Sequence, residues 1–219
     1  MRRAVICFTR VPRPGVTKTR LLPVLSPKQC AALHTAFLKD LARVYRELDA
    51  ALFVAYAPDP DWALLKDIFP MASAFFPQTG ESLGERMDAA ICHVLSMGFE
   101  RVILTGTDLP MMGRRHLESG FSALDLSDVV LGPTPDGGYY LVGAKAPCTA
   151  VFEEQQYGGG NVYENTVKAA ERAGLSLGQA LPCGDVDTPE DLRRLVLQAD
   201  PESHTGWFLA ALKKEGHLL

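Results

Sequence analysis

The chain has 219 residues, 47% of them hydrophobic and 22% charged, which excludes a disordered, collagen-like or coiled-coil protein. That length suits one packed domain spanning 1–219 and is short for two. The formal net charge of -4 works against binding nucleic acid or an anionic membrane, so any phosphate must be held by local cations or a metal.

Arg2 and Arg3 make the start of the chain basic, and residues 4–8 are apolar. Five apolar residues are too few for a signal-peptide core or a membrane span, so this segment is predicted as the first strand. No other stretch is apolar over the length a membrane span needs. Ser26 then caps a helix with Pro27 in its first turn. Cys30, Leu33, Phe37, Leu41, Val44 and Leu48 recur at steps of three or four, giving that helix one buried face. Residues 52–57 read as strand two, 61–69 as a short helix ending at Pro70, and 72–76 as strand three. A helix over 83–97 stops at Gly98. Residues 101–105 form strand four, followed by a helix near 114–124 and strands at 128–131 and 139–142. A helix over 161–173 ends at Gly174. A late strand is expected at 181–186, Pro189 opens a helix running to about residue 198, and Pro201 opens a terminal one. Short apolar runs alternating with longer amphipathic ones indicate an α/β fold, Rossmann-like, with a mixed, mostly parallel sheet and helices on both faces.

Cys7, Cys30, Cys92, Cys148 and Cys183 are scattered, odd in number and free of any CxxC pair. A disulfide framework or structural zinc site is not expected, and a reducing, cytoplasmic compartment fits. The histidines (His34, His93, His116, His204, His217) lack metal-ligand spacing, and His34 and His93 read as packing or surface residues of helices.

In open parallel sheets, ligands bind beyond the carboxyl ends of the strands, where the strand order reverses. The loops after strands one and four are therefore the places to look. The first carries Arg10, Arg13, Lys18 and Arg20, stiffened by Pro12 and Pro14 and relaxed at Gly15. Arginine forks and a lysine point charge suit a polyphosphate, although a solvated basic loop would look the same on charge alone. The loop after strand four places Asp108 at the expected crevice, where a carboxylate can hold a hard cation that bridges phosphates. A turn or capping aspartate would also read this way. Asp136-Gly137-Gly138 is either a tight hairpin or a turn presenting amides and a carboxylate to a ligand. Asp185 and Asp187 flank Val186 before a helix. Thr188 or Asp187 caps that helix, which explains one of these residues and not two aspartates flanking a valine. The segment from Gln78 to Met87, with Gly84 inside it, leads from strand three into a helix whose amides can face a base or ribose.

The ordered set of PGxxKTRL, GxxLGERM, GTDxP, GPxxDGGYYL and DVDTPEDL, spread from Arg10 to Leu192, resembles a bacterial family of GT-A-fold, glycosyltransferase-like proteins, the radical-SAM/selenodomain-associated transferases (type 1) of the nucleotide-diphospho-sugar transferase superfamily. The KTRL and DTPEDL segments are also similar to those of small nucleotidyltransferases of that superfamily. The resemblance implies a nucleotide-binding set of Arg13, Gly15, Lys18, Arg20, Gln78, Gly84 and Asp108. It implies Asp108 and Asp187 as ligands of Mg²⁺ or Mn²⁺, and a catalytic set of Lys18, Arg20 and Asp136, with Asp136 facing the acceptor. It departs at 156–162, where Gln156-Tyr157-Gly158-Gly159-Gly160-Asn161-Val162 replaces a Trp-Ser-Thr-like segment.

The expected function is metal-dependent glycosyl-type transfer from a nucleotide or nucleotide-sugar donor to a small-molecule acceptor. One alternative is guanylyl- or cytidylyl-type transfer that releases pyrophosphate. Another is a non-catalytic nucleotide-binding module.

Overall fold

The computed structural model describes residues 2–153, 155–214 and 216. In chain order the elements are β1 (Arg3–Thr9), α1 (Pro27–Arg46), β2 (Ala51–Tyr56), α2 (Leu64–Ile68), β3 (Ala74–Pro77), α3 (Leu83–Ser96) and β4 (Arg101–Thr105). They continue with α4 (Arg114–Leu126), β5 (Val129–Pro133), β6 (Tyr139–Ala144), α5 (Val162–Arg172), β7 (Leu177–Gln179), α6 (Pro189–Gln198) and α7 (His204–Lys214). All seven strands join one sheet in the order β3-β2-β1-β4-β6-β5-β7. Only β6 runs against its neighbours.

Side chains alternate across the sheet because the strand period is two residues. Val5 and Cys7 of β1 join Leu38 and Leu41 of α1, Leu65 of α2 and Phe121 of α4 on one face. Ala4 and Ile6 join Met87, Ile91 and Val94 of α3 and Ala170 of α5 on the other. Each of the Val, Leu, Ile, Phe and Met side chains among these, fully buried, contributes about 1.5–3 kcal/mol. The far side of α1, through Leu33 and Phe37, packs against Leu192 and Leu195 of α6 and Leu209 and Leu212 of α7, making a third layer.

The caps follow local chemistry. Ser26 and Gln29 form a reciprocal capping box that starts α1. Asp40 in mid-α1 reaches across to accept from the amides of His204 and Thr205 at 2.8 and 2.9 Å, tying the start of α7 to α1. This is why α7 begins at His204 and not at Pro201.

The late strand expected at 181–186 is the clearest correction. The ladder partner of β5 is β7 at Leu177–Gln179, and the chain beyond it leaves the sheet. Pro182 supplies no amide for a ladder. The segment makes separate bonds instead, from Ala180 N to Leu131 O (2.8 Å), Cys183 N to Pro133 O (3.2 Å) and Val186 N to Asp108 O (2.8 Å). It therefore crosses the end of the sheet to the loop after β4. The short helix expected over 61–69 shortens to α2, because residues 61–63 form turns.

The strand order reverses at β1, which lies between β2 and β4. The carboxyl ends of β1 to β4, the β5–β6 turn and the run after β7 all meet at one edge of the sheet. No helix among the described residues is long and apolar enough to cross a membrane.

Candidate active site

A cleft of about 900 Å³ opens at that edge. Its walls come from the loop after β1 (Thr9, Arg10, Thr17, Lys18, Arg20), the loop after β4 (Gly106, Thr107, Asp108), Gln78 after β3, and Asp187.

The loop after β1 starts with a reverse turn. Val16 N donates to Arg13 O at 3.2 Å, with Pro14 second and Gly15 third at φ 77°, the residue pattern of a type II turn. The turn redirects the chain toward Lys18. Lys18 takes a left-handed conformation, φ 54° and ψ 36°, and is the one described non-glycine residue with positive φ. Such a conformation costs on the order of 1–3 kcal/mol and persists only when its surroundings hold it. Here the following 3₁₀ turn, with Leu21 buried between α1 and α6, holds it.

The Lys18 side chain is 2% exposed, and its ammonium donates to Asp108 Oδ1 at 2.5 Å, Val186 O at 2.6 Å and Asp187 Oδ1 at 3.4 Å. Arg20 Nη1 donates to Asp187 Oδ2 at 3.2 Å. Burial works to raise the Asp108 carboxyl, and the Lys18 ammonium overrides it, holding Asp108 below its usual range. Burial and then the Asp108 charge push the Asp187 carboxyl up. Two hard carboxylate groups, one from the middle of the chain and one from its last third, thus converge on one buried cation. Mg²⁺ is commonly held by one or two carboxylates plus substrate phosphates, so the donor set fits such an ion.

Thr188, not Asp187, caps α6. Its hydroxyl accepts from Asp191 N, and Asp191 Oδ2 accepts from Thr188 N at 2.8 Å. Asp187 is therefore released to face Lys18 and Arg20.

Other expected site residues are placed differently. Arg13 does not line the cleft, because its guanidinium pairs with Asp59 at 2.8 Å and Asp61 at 3.1 Å and pins the loop to the one after β2. Gly15 shapes the turn and does not line the cleft. Gly84 is buried in the first turn of α3, where a Cβ would lie 2.6 Å from the carbonyl oxygen of Phe152. Its place is explained by helix packing. Gln78 is at the cleft, and its amide nitrogen donates to the carbonyls of Thr9 and Ala55, both at 3.0 Å. Asp136 Oδ1 accepts from Thr134 Oγ1 at 2.5 Å and from Gly138 N at 3.1 Å, closing its own turn. It lines a smaller recess beside Asp108 together with Asp185, Thr134 and Tyr140. Asp185 carries no ion pair among the described residues. Burial, followed by the charges of Asp187, Asp136 and Asp108, pushes its carboxyl up to about 6. The 156–162 segment packs under this side, with the Tyr157 hydroxyl 3.3 Å from that of Tyr139 and Tyr163 N donating to Gly137 O.

His34 was not expected here. It is buried on the cleft wall, its Nε2 is 3.3 Å from Thr107 Oγ1, and burial lowers it to about 4, so the ring is neutral. Thr17 Oγ1, on the same wall, is buried with no partner among the described residues. Arg10 also lines the cleft and makes no ion pair among those residues. A histidine at mid-helix carries no sequence signal for this, since only the packing of α1 against the β4 loop brings it there. His217 lies outside the described residues.

Residues 40–159 match the family model described as "Uncharacterized protein conserved in bacteria (DUF2064)". The chain belongs to this family. A crystal structure from Desulfovibrio desulfuricans G20, described as a putative nucleotide-diphospho-sugar transferase, is 31% identical, with complete coverage of both chains and a TM-score of 0.88. The chain is also 26% identical over 201 residues to the 2-phospho-L-lactate guanylyltransferase of Methanothermobacter thermautotrophicus, covering 90% of this chain and 85% of that one. A cytidylyltransferase structure from Leptospira borgpetersenii shares the fold, with a TM-score of 0.56 at 11% identity over 99% and 95% of the two chains. The radical-SAM/selenodomain-associated subtype finds no separate support in these likenesses.

Proposed function

We propose that the chain is a nucleotidyltransferase, which joins a nucleoside monophosphate from a triphosphate to a small-molecule acceptor and releases pyrophosphate. The single observation that carries this reading is the meeting of Lys18, Arg20, Asp108 and Asp187 at the strand-order reversal. It is strengthened by the likeness to the guanylyltransferase over most of both chains. The chain is a transferase of the nucleotidyl or nucleotide-sugar class, and in this reading the nucleotidyl branch replaces the glycosyl-type transfer expected from the sequence.

One feature favours that branch. Inverting glycosyl transfer to a hydroxyl needs a base, and one oxygen of Asp136, the candidate, is committed to its own turn. Transfer to an acceptor phosphate needs no such base. The nucleotide-sugar reading keeps one support, the description given to the Desulfovibrio structure.

The chemistry asked of the protein is positioning and charge neutralisation. Asp108 and Asp187 would hold Mg²⁺ or Mn²⁺, and the ion would supply neutralisation of charge on the nucleotide phosphates. Arg20 and Arg10 are placed to offer guanidinium forks to phosphate oxygens. Gln78 keeps both amide protons on backbone carbonyls, so its oxygen is the group it offers to a base or ribose. Thr17 offers a hydroxyl without a protein partner.

The test follows product release. Protein, Mg²⁺, each nucleoside triphosphate and a panel of phosphorylated and hydroxylated acceptors are incubated, and pyrophosphate is measured beside nucleoside diphosphate from matching nucleotide sugars. Pyrophosphate release dependent on acceptor is the expected result. Diphosphate release from a nucleotide sugar without any pyrophosphate would overturn it.

A further inference from the structure

The Lys18 ammonium has three donors, and three acceptors surround it: Asp108 Oδ1 at 2.5 Å, Val186 O at 2.6 Å and Asp187 Oδ1 at 3.4 Å. None is left over for a phosphate in the ligand-free protein. The stem runs inward past Phe37, whose ring centre is 5.2 Å from Nζ. The burial is lopsided. The Lys18 side chain is 2% exposed, while those of Asp108 and Asp187 are 43% and 34% exposed. The cation closes the inner side of the pair, and the carboxylates remain open toward the cleft.

The backbone keeps it there. The left-handed conformation of Lys18 and the buried Leu21 behind it aim this side chain, while its neighbour Arg20 is 69% exposed and holds only the outer oxygen of Asp187. A divalent ion drawn to Asp108 and Asp187 from solvent therefore meets a positive charge already seated between them. Like charges so close repel strongly where water is scarce. The conflict ends if Lys18 is handed another anion, and nucleotide phosphates entering the same cleft supply one.

We propose that Lys18 is the resident counter-ion of the Asp108–Asp187 pair, so that a divalent cation is taken up only together with a nucleotide, whose phosphates take over Lys18. This rests on the reading above that the two carboxylates receive a divalent ion. Metal and nucleotide then raise each other's affinity by the same factor, because linkage is reciprocal. Lys18 acts as a selector of the incoming species: metal–nucleotide complexes are accepted, and bare ions are not.

The experiment titrates Mn²⁺ into the intact protein beside a matched titration without protein, and reads protein-bound ion by the additional loss of the free-ion electron paramagnetic resonance signal, with thermal stability in parallel. Wild type, Lys18→Met and the double variant Lys18→Met/Asp108→Asn are compared, each without nucleotide and with GTP or CTP. Methionine keeps an unbranched stem against Phe37 and removes the charge. The wild type is expected to ignore Mn²⁺ alone and to bind it with nucleotide. Lys18→Met should bind Mn²⁺ alone about tenfold or more tighter than the wild type does, a coupling of ordinary size. The double variant should lose that gain. Wild type binding Mn²⁺ equally well with and without a bound nucleotide overturns the proposal, and this arm stands even if the variant fails to fold. A folded Lys18→Met with no gain overturns it too. If no nucleotide binds under any condition, the nucleotidyltransferase reading falls, and the metal-only comparison still decides the role of Lys18.

Discussion

The cleft and the recess beside it both gather aspartates at the same edge of the sheet, yet the two are arranged in opposite ways. In the cleft, Asp108 and Asp187 share a buried ammonium, and Asp108 is held below its usual range. In the recess, Asp136 closes its own turn and Asp185 is pushed up to about 6, with no lysine or arginine among the lining residues. The contrast teaches that a carboxylate's place in the chemistry depends on which cation the fold delivers to it. Asp187 and Asp185 are two residues apart in sequence, and only one of them faces Lys18.

The largest expected effect comes from breaking the cationic side. Asp108→Asn should keep the fold and remove divalent-dependent nucleotide binding, by about 100-fold or roughly 2.8 kcal/mol. Asp187→Asn should do less, since Asp108 holds the shorter contact to Lys18. Calorimetry with and without Mg²⁺ measures both. A larger loss at Asp187 would reverse the assignment of the principal ligand.

The recess gives an intermediate effect, read in stability. Asp185 binds its proton more tightly folded than unfolded, so its contribution is favourable below the unfolded value. Stability is lost as pH rises from near 4 through about 6. Asp185→Asn removes that loss. In chelator-treated protein the variant should melt higher than wild type at pH 7.5, by roughly 2–4 °C for about 1 kcal/mol. The gain should vanish near pH 4. A gain of equal size at both pH values would show that charge is not its cause.

The smallest effect sharpens the comparison within the basic loop. Arg13→Ala breaks the exposed ion pair to Asp61, worth about 0–1 kcal/mol, and strands the carboxylate of Asp59, whose side chain is 7% exposed, so it should lower stability while leaving nucleotide affinity within about twofold. A loss of affinity of about tenfold or more would mean that Arg13 leaves Asp59 and Asp61 to reach the ligand.

Much of this was legible in the sequence because its causes are local. The alternating strands and helices, the capping signals at Ser26 and Thr188, and the Pro14-Gly15 turn depend on residues a few positions apart. Strand ends also placed Asp108 and the basic loop at one crevice, since parallel strands direct their carboxyl ends to one side. Other features needed the tertiary structure. Lys18 is held left-handed where Leu21 is buried between α1 and α6, and α6 is far away in sequence. Residues 181–186 look like a strand by composition, yet Pro182 and bonds to Pro133 and Asp108 take them across the sheet end. Arg13 is drawn away by Asp59 and Asp61, and His34 reaches the cleft only through the packing of α1. The sequence alone determined which residue types could hold phosphate and metal, through charge and local chain geometry. Which cation met which carboxylate was decided by long-range packing, because an ion pair depends on distances of a few ångströms that local sequence does not encode.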